Sequence, residues 1–186
     1  MIKIGISGAR GSFSEQAARE YCRKNKITEY ELFYLVSVEN VLAGLDKEEI
    51  TLGVFPIENS NGGIVIESVY AMSRHLFKIK ELFEIPVIHC LLVKPGIKKE
   101  EVKSIASHDQ ALKQCKMYIK REWTEAYLQE MEDTAKAAKN LSEGKLSRNT
   151  AVLAPESCAE LYGLDVMEKS VQDLKFNFTS FLAVEK

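Results

Sequence analysis

The sequence lacks most of what would tie it to a membrane, a metal or a nucleic acid. Its longest apolar runs, such as residues 87–93, fall far short of the ~20 residues that cross a bilayer. Met1 leads straight into a strand-like run over residues 2–6, without the basic segment and apolar stretch of a secretory signal, so a cytoplasmic location is expected. The 25 Lys and Arg residues nearly balance 27 Asp and Glu, leaving a net charge of −2 and no bulk attraction to nucleic acid or anionic membrane. Four cysteines (Cys22, Cys90, Cys115, Cys158) are widely spaced with no CxxC, and they read as buried reduced thiols of a reducing compartment. Three histidines, His75, His89 and His108, stand far apart without ligand spacing, so no metal site and no cofactor is expected. GxSxG is absent, which removes the nucleophile elbow of the serine hydrolases.

What is present is an alternation of strand-like and helix-like segments. Residues 2–7 alternate β-branched side chains, and residues 12–25 repeat Phe13, Ala17 and Tyr21 at helical spacing. Residues 31–37 read as a strand, and Ser37 caps a helix with the stripe Val38, Val41, Leu42 and Leu45. A third strand covers 52–57, followed by a helical pattern to about Leu76 and extended segments over 77–85 and 87–93 broken by Pro86. A second series follows: a strand at 104–107, a helix over 108–123, and a helix capped by Asp133 and ended by Gly144. The strand at 151–154, Pro155 at a first helical position, Gly163 at a stop, and strands at 166–171 and 176–184 complete it. Repeated βα units predict an α/β chain with mostly parallel sheets flanked by helices. Two such sets joined by the extended stretch at 77–93 predict two lobes.

Four segments could carry chemistry. Ser7-Gly8-Ala9-Arg10-Gly11-Ser12-Phe13-Ser14 is a strand-to-helix turn whose backbone N–H groups could receive a carboxylate, or a plain tight turn with Ser12 or Ser14 as N-cap. It is not GxGxxG and lacks the Lys-Ser/Thr of a P-loop, so a nucleotide reading is weak. Pro56-Ile57-Glu58-Asn59-Ser60 places an acid, an amide and a hydroxyl at a strand end, where α/β sheets bind ligands. Ser107-His108-Asp109-Gln110 through Gln114 is another strand end opening a helix, with Gln110 and Gln114 on one face and His108 best read as a cap or packing residue. In Asn177-Phe178-Thr179-Ser180-Phe181, alternation puts Asn177 and Thr179 on one face and Phe178 and Ser180 on the other.

Taken in order, these segments resemble the prephenate dehydratase family over essentially the whole chain. Gly8-Ala9-Arg10-Gly11-Ser12-Phe13-Ser14 before Ala17-Ala18 is similar to the family's Gly-Pro-x-Gly-Thr-Phe-Ser turn, and Pro56–Ser60 matches its Pro-Ile-Glu-Asn-Ser signature. His89-Cys90-Leu91 resembles its His-x-Leu strand, and Ser107–Leu112 its Ser-His-Pro-Gln-Ala-Leu segment with Asp109 for Pro. Residues 133–138, Tyr162-Gly163-Leu164 and Gln172-Asp173 also fall in the family's order. The resemblance implies a two-lobed fold similar to type II periplasmic binding proteins, with lobe 1 at about 1–76 plus 172–186, lobe 2 at about 77–171, and the active site in the interlobe cleft. It implies conversion of prephenate to phenylpyruvate with loss of water and carbon dioxide, on the route to phenylalanine, by a homodimer or higher homo-oligomer. It assigns the catalytic role to Thr179 and substrate contacts to Glu58, Asn59, Ser107 and Gln114; Gly11, Ser12, Ser60 and Asn177 join them as polar groups of the same segments.

Two departures bear on that expectation. The family's Thr-Arg-Phe is Thr179-Ser180-Phe181 here, and alternation turns position 180 away from Thr179. The chain also stops at Lys186, where family members commonly continue into a phenylalanine-binding ACT domain, so feedback through such a domain is not expected of this chain. Alternatives on the same scaffold are an arogenate dehydratase and a prephenate decarboxylase; a non-catalytic protein that closes on a small carboxylate is the alternative from another class.

Overall fold

A computed structural model describes residues 1–186. The chain divides into two compact units, Met1–Val87 with Phe176–Lys186, and Ile88–Lys175.

The first unit holds strands β1 (Ile2–Ile6), β2 (Tyr30–Tyr34), β3 (Leu52–Asn59), β4 (Gly63–Ile64) and β5 (Lys78–Pro86), with helices α1 (Phe13–Lys24), α2 (Val38–Asp46) and α3 (Ile66–Met72). Its sheet runs β2-β1-β3, then β11 (Phe178–Glu185), then β5, with β4 paired to β3. Neighbouring residues of a strand enter different cores, which places helices on both faces. Ile4, Ile6, Val54, Phe181 and Ala183 pack with Ala17 and Ala18 of α1, whereas Phe55, Leu182 and Val184 pack with Val41, Leu42 and Ala71 of α2 and α3. Phe55 is fully buried, and truncating such a ring to alanine costs about 3–5 kcal/mol. The helix starts follow local chemistry: Ser12 Oγ accepts from the Glu15 N–H and Ser37 Oγ from the Asn40 N–H.

The second unit holds β6 (Cys90–Val93), β7 (Ser104–His108), β8 (Tyr127–Met131), β9 (Thr150–Ala154) and β10 (Asp165–Glu168) in the order β10-β6-β9-β7-β8. Helices α4 (Asp109–Gln114) and α5 (Lys116–Glu122) line the core of Leu91, Val93, Ile105 and Leu153. Helices α6 (Thr134–Ser142) and α7 (Ser157–Tyr162) line that of Cys90, Leu92, Ala106 and Val152. Asp133 caps α6 through the Lys136 N–H, and Gly163 ends α7 at φ 64°, a left-handed conformation that costs glycine least.

Several expectations need correction. The sheets are mixed, not mostly parallel: β2-β1-β3 and β9-β7-β8 run parallel, while β3–β11, β11–β5, β6–β9 and β10–β6 are antiparallel. Residues 77–87 belong to the first unit because β5 pairs along its length with β11. Residues 172–175 belong to the second, where the Asp173 N–H donates to the Gln114 carbonyl. The single helix expected over 108–123 is two, because the Asp173 carboxylate accepts from the Met117 and Tyr118 N–H groups and starts α5 anew. Pro155 opens the first turn of α7, its carbonyl accepting from the Cys158 N–H. No helix is long and apolar enough to cross a membrane.

His75, just past α3, bonds Asp46 at 2.5 Å and Glu39 at 3.0 Å, clamping both ends of α2. Asp46 and then Glu39 raise its pKa above the usual histidine value. A raised folded-state value means the clamp's stability is fully present below ~6.5 and fades as pH rises through the folded value. His75→Gln is therefore expected to cost ~0.2–1 kcal/mol at pH 6 and progressively less toward pH 9, read from urea unfolding at both pH values. A pH-independent cost would contradict the clamp.

Candidate functional site

At the carboxyl end of β3, Asn59 is the hub of a polar cluster. Its Nδ2 shares its two hydrogens among Thr179 Oγ1 at 2.9 Å, Asn177 Oδ1 at 2.9 Å and the Phe178 carbonyl at 3.0 Å. Its Oδ1 accepts from the Asn61 N–H at 3.0 Å and the Gly62 N–H at 2.8 Å, closing the β3–β4 turn. The register pairs Asn59 with Thr179 and Thr179 with Ile85, so all three share one face of the sheet. Thr179 is 8% exposed and Asn177 2%, while Phe178 between them points outward at 38%, the expected alternation. Ser60 prolongs the ladder: its N–H donates to the Phe178 carbonyl and its Oγ accepts from the Phe178 N–H. Asn59 thus acts as a scaffold whose amide is engaged at both ends.

Glu58 stands on the opposite face. It pairs with Ser180, which pairs with Glu84, and Ser180 Oγ donates to Glu84 Oε1 at 3.1 Å. Alternation along β3 produces this arrangement: Glu58 and Asn59 are consecutive, so their side chains leave opposite faces of the sheet.

The turn between β1 and α1 is already occupied by the chain itself. Buried Glu15 accepts the Gly11 N–H at 2.7 Å, and Arg19 grips its other oxygen at 2.9 and 2.6 Å. The Ser12 N–H donates to the Ala9 carbonyl while Ser12 Oγ serves as the helix cap. Gly8 is needed for this closure, since a Cβ there would lie 2.4 Å from Ser12 Oγ. The Gly11 and Ser12 N–H groups are thus engaged within the turn, with an internal carboxylate at the Gly11 N–H. The Ser-x-x-Glu spacing of Ser12 and Glu15 is a capping signal that would have revealed it.

In the second unit, Ser107 is fully buried and its hydroxyl donates to the Leu153 carbonyl at 2.7 Å, tying β7 to β9. His108 caps α4, with Nδ1 accepting from the Gln110 N–H. Gln114, at the end of α4, presents its Oε1 to His89 Nε2 at 2.9 Å, and Gln172 Oε1 accepts from the His89 N–H. Sequence reasoning named Gln114 but left His89 without a role. All four cysteines are free and buried, and burial pushes the Cys115 thiol up to about 12, which keeps it unreactive. No group of three His, Cys, Asp or Glu side chains gathers where a metal ion could be held.

Comparison with known proteins gives these arrangements a family. The family model described as prephenate dehydratase matches residues 4–186. Arogenate dehydratase 1 of Petunia hybrida is 33% identical over 188 residues, covering all of this chain and 42% of the relative, so the chain spans less than half of that protein. Among solved structures, the prephenate dehydratase of Arthrobacter aurescens in complex with L-Phe superposes with a TM-score of 0.90 at 22% identity, covering 100% of this chain and 60% of that one. A nutrient-binding protein of Burkholderia cenocepacia bound to methionine reaches 0.55 at 14% identity, covering 100% and 85%, which extends the likeness of fold to binding proteins. With a match running from residue 4 to the last residue, this chain belongs to the prephenate dehydratase family.

Proposed function

We propose that this chain is a dehydratase that converts prephenate to phenylpyruvate. The observation that carries the reading is the Asn59–Thr179 pair in a member of that family. Prephenate carries a ring carboxylate and a ring hydroxyl. The carboxylate leaves as carbon dioxide, its bonding electrons become a ring double bond, and the hydroxyl departs as water after gaining a proton. Aromatisation supplies the driving force, so the protein needs chiefly a donor at the departing oxygen and groups that fix the substrate. Thr179 suits the first task. Its oxygen accepts from Asn59 Nδ2, which directs its own O–H elsewhere and strengthens it as a donor by ~10–30%. Gln114 suits the second, as a donor to a substrate carboxylate.

Arogenate, the amino counterpart of prephenate, is the second reading, favoured by the name of the Petunia relative. Assaying the chain at neutral pH with each acid decides. Rising phenylpyruvate absorbance from prephenate supports the first reading, and phenylalanine from arogenate supports the second. A non-aromatic decarboxylated product would indicate a decarboxylase, and a thermal shift without turnover a binding protein. The four reduced cysteines are in keeping with a cytoplasmic setting, and sedimentation would test the homo-oligomer we infer alongside.

Ser180, where the family has arginine, is not charged with chemistry in this mechanism. An arginine there would lie between Glu58 and Glu84. Ser180→Arg is expected to stabilise the fold by ~0.2–1 kcal/mol and leave turnover within about twofold, measured by thermal melting and the same assay. A large change in turnover would tie position 180 to the reaction.

A further inference from the structure

We infer that His89 is a positioning residue, an imidazole whose Nε2–H holds the Gln114 carboxamide oxygen so that Gln114 meets its ligand as a donor. The inference rests on the proposed dehydratase reading for the identity of that ligand, a carboxylate-bearing cyclohexadiene. His89 is 3% exposed, just ahead of β6, and both of its backbone groups are tied: its N–H donates to Gln172 Oε1 at 3.1 Å and its carbonyl accepts from Val171 N–H at 2.9 Å. Gln114 is tied to the same segment, since its carbonyl accepts from the Asp173 N–H at 2.8 Å. Residues 171–173 therefore brace the two partners of the His89–Gln114 bond from one side.

A carboxamide is ambiguous. Rotated by half a turn, it exchanges an acceptor for two donors, and only its neighbours decide which end a ligand meets. Opposite a ligand with carboxylates, the wrong end repels. Burial lowers the His89 pKa, so the ring stays neutral near pH 7 and carries a single N–H. The 2.9 Å contact with a carbonyl oxygen requires that hydrogen on Nε2. With Oε1 so engaged, the NH2 end is the end turned to the substrate. His89 acts through Gln114 and need not touch the substrate itself.

The test uses the chain with His89→Leu, which removes the donor, and His89→Gln, whose amide can reach the same oxygen. With the acid that the wild type turns over, His89→Leu is expected to raise KM by about tenfold with kcat within about twofold, because the lost orientation weakens ground state and transition state alike. His89→Gln should recover most of the loss. Adding Gln114→Ala to His89→Leu should cost little more, whereas two independent roles would add. Nitrogen NMR of the wild-type imidazole should show the neutral Nε2–H tautomer at pH 7. An unchanged KM in His89→Leu, an additive double variant or an Nδ1–H tautomer would overturn the inference while leaving the dehydratase reading intact. Absence of turnover from either acid in the wild type would sink that reading, and the substrate role of Gln114 with it.

Discussion

Replacing Thr179 with valine is expected to lower kcat by roughly 10²–10⁴-fold while KM stays within about threefold. Valine matches threonine in shape, so the core beneath the position is retained and only the hydroxyl is lost. Thr179 sits at the second residue of β11, paired to Asn59 on one side and Ile85 on the other, so its backbone is held by two strands. The departing hydroxyl gains most from a hydrogen-bond donor when charge has built up on it, which is why the loss falls on kcat. The stability cost should be only ~1–2 kcal/mol, because Asn59 Nδ2 retains Asn177 Oδ1 and the Phe178 carbonyl as acceptors. Thr179→Ser keeps the hydroxyl and should retain most of the turnover. Phenylpyruvate formation and thermal melting of the three proteins check this; wild-type kcat in the valine variant would refute the role.

What could be read in advance divides by distance along the chain. The caps at Ser12, Ser37 and Asp133 and the stop at Gly163 were legible because each depends on a few neighbouring residues. The alternation of Asn177, Phe178 and Thr179 was legible for the same reason. The break between α4 and α5 was not, since it is made by Asp173, more than fifty residues away. Strand β8, with Tyr127 at 71% and Leu128 at 43% exposed, gave no sign because an edge strand that buries little needs no apolar alternation. Counting along Pro56–Ser60 sets Glu58 next to Asn59 in the chain, but alternation along β3 turns it to the other face. Polar residues at strand ends announce a site in sequence, yet hydrogen bonds of Ser107, Gly11 and Ser12 run inward to the chain itself. The Ser107 bond to Leu153 spans 46 residues and leaves no local pattern, whereas the Gly11 bond to Glu15 lies within the Ser-x-x-Glu capping signal.

Asn59→Asp should be as damaging to kcat as Thr179→Val, though the two substitutions act on opposite partners of one bond. A carboxylate fits the amide's place and can still accept from the Asn61 and Gly62 N–H groups, so the β3–β4 turn survives. It cannot donate, however, and it would face three acceptors: Thr179 Oγ1, Asn177 Oδ1 and the Phe178 carbonyl. The Thr179 hydroxyl would then reverse, giving its proton to the carboxylate in place of the substrate, and kcat should fall by roughly 10²-fold or more. Setting a carboxylate against the remaining two acceptors should also cost about 1–3 kcal/mol of stability. The pH dependence supplies the sign. Protonation restores one donor, so as pH falls toward the ordinary aspartate value of ~3.9 the variant should regain turnover relative to the wild type. Asn59→Ala, which loses the turn as well, should show no such recovery. If Asn59 served only the turn, aspartate would be nearly silent and alanine alone would be harmful, and the proposed polarisation of Thr179 would have to be abandoned.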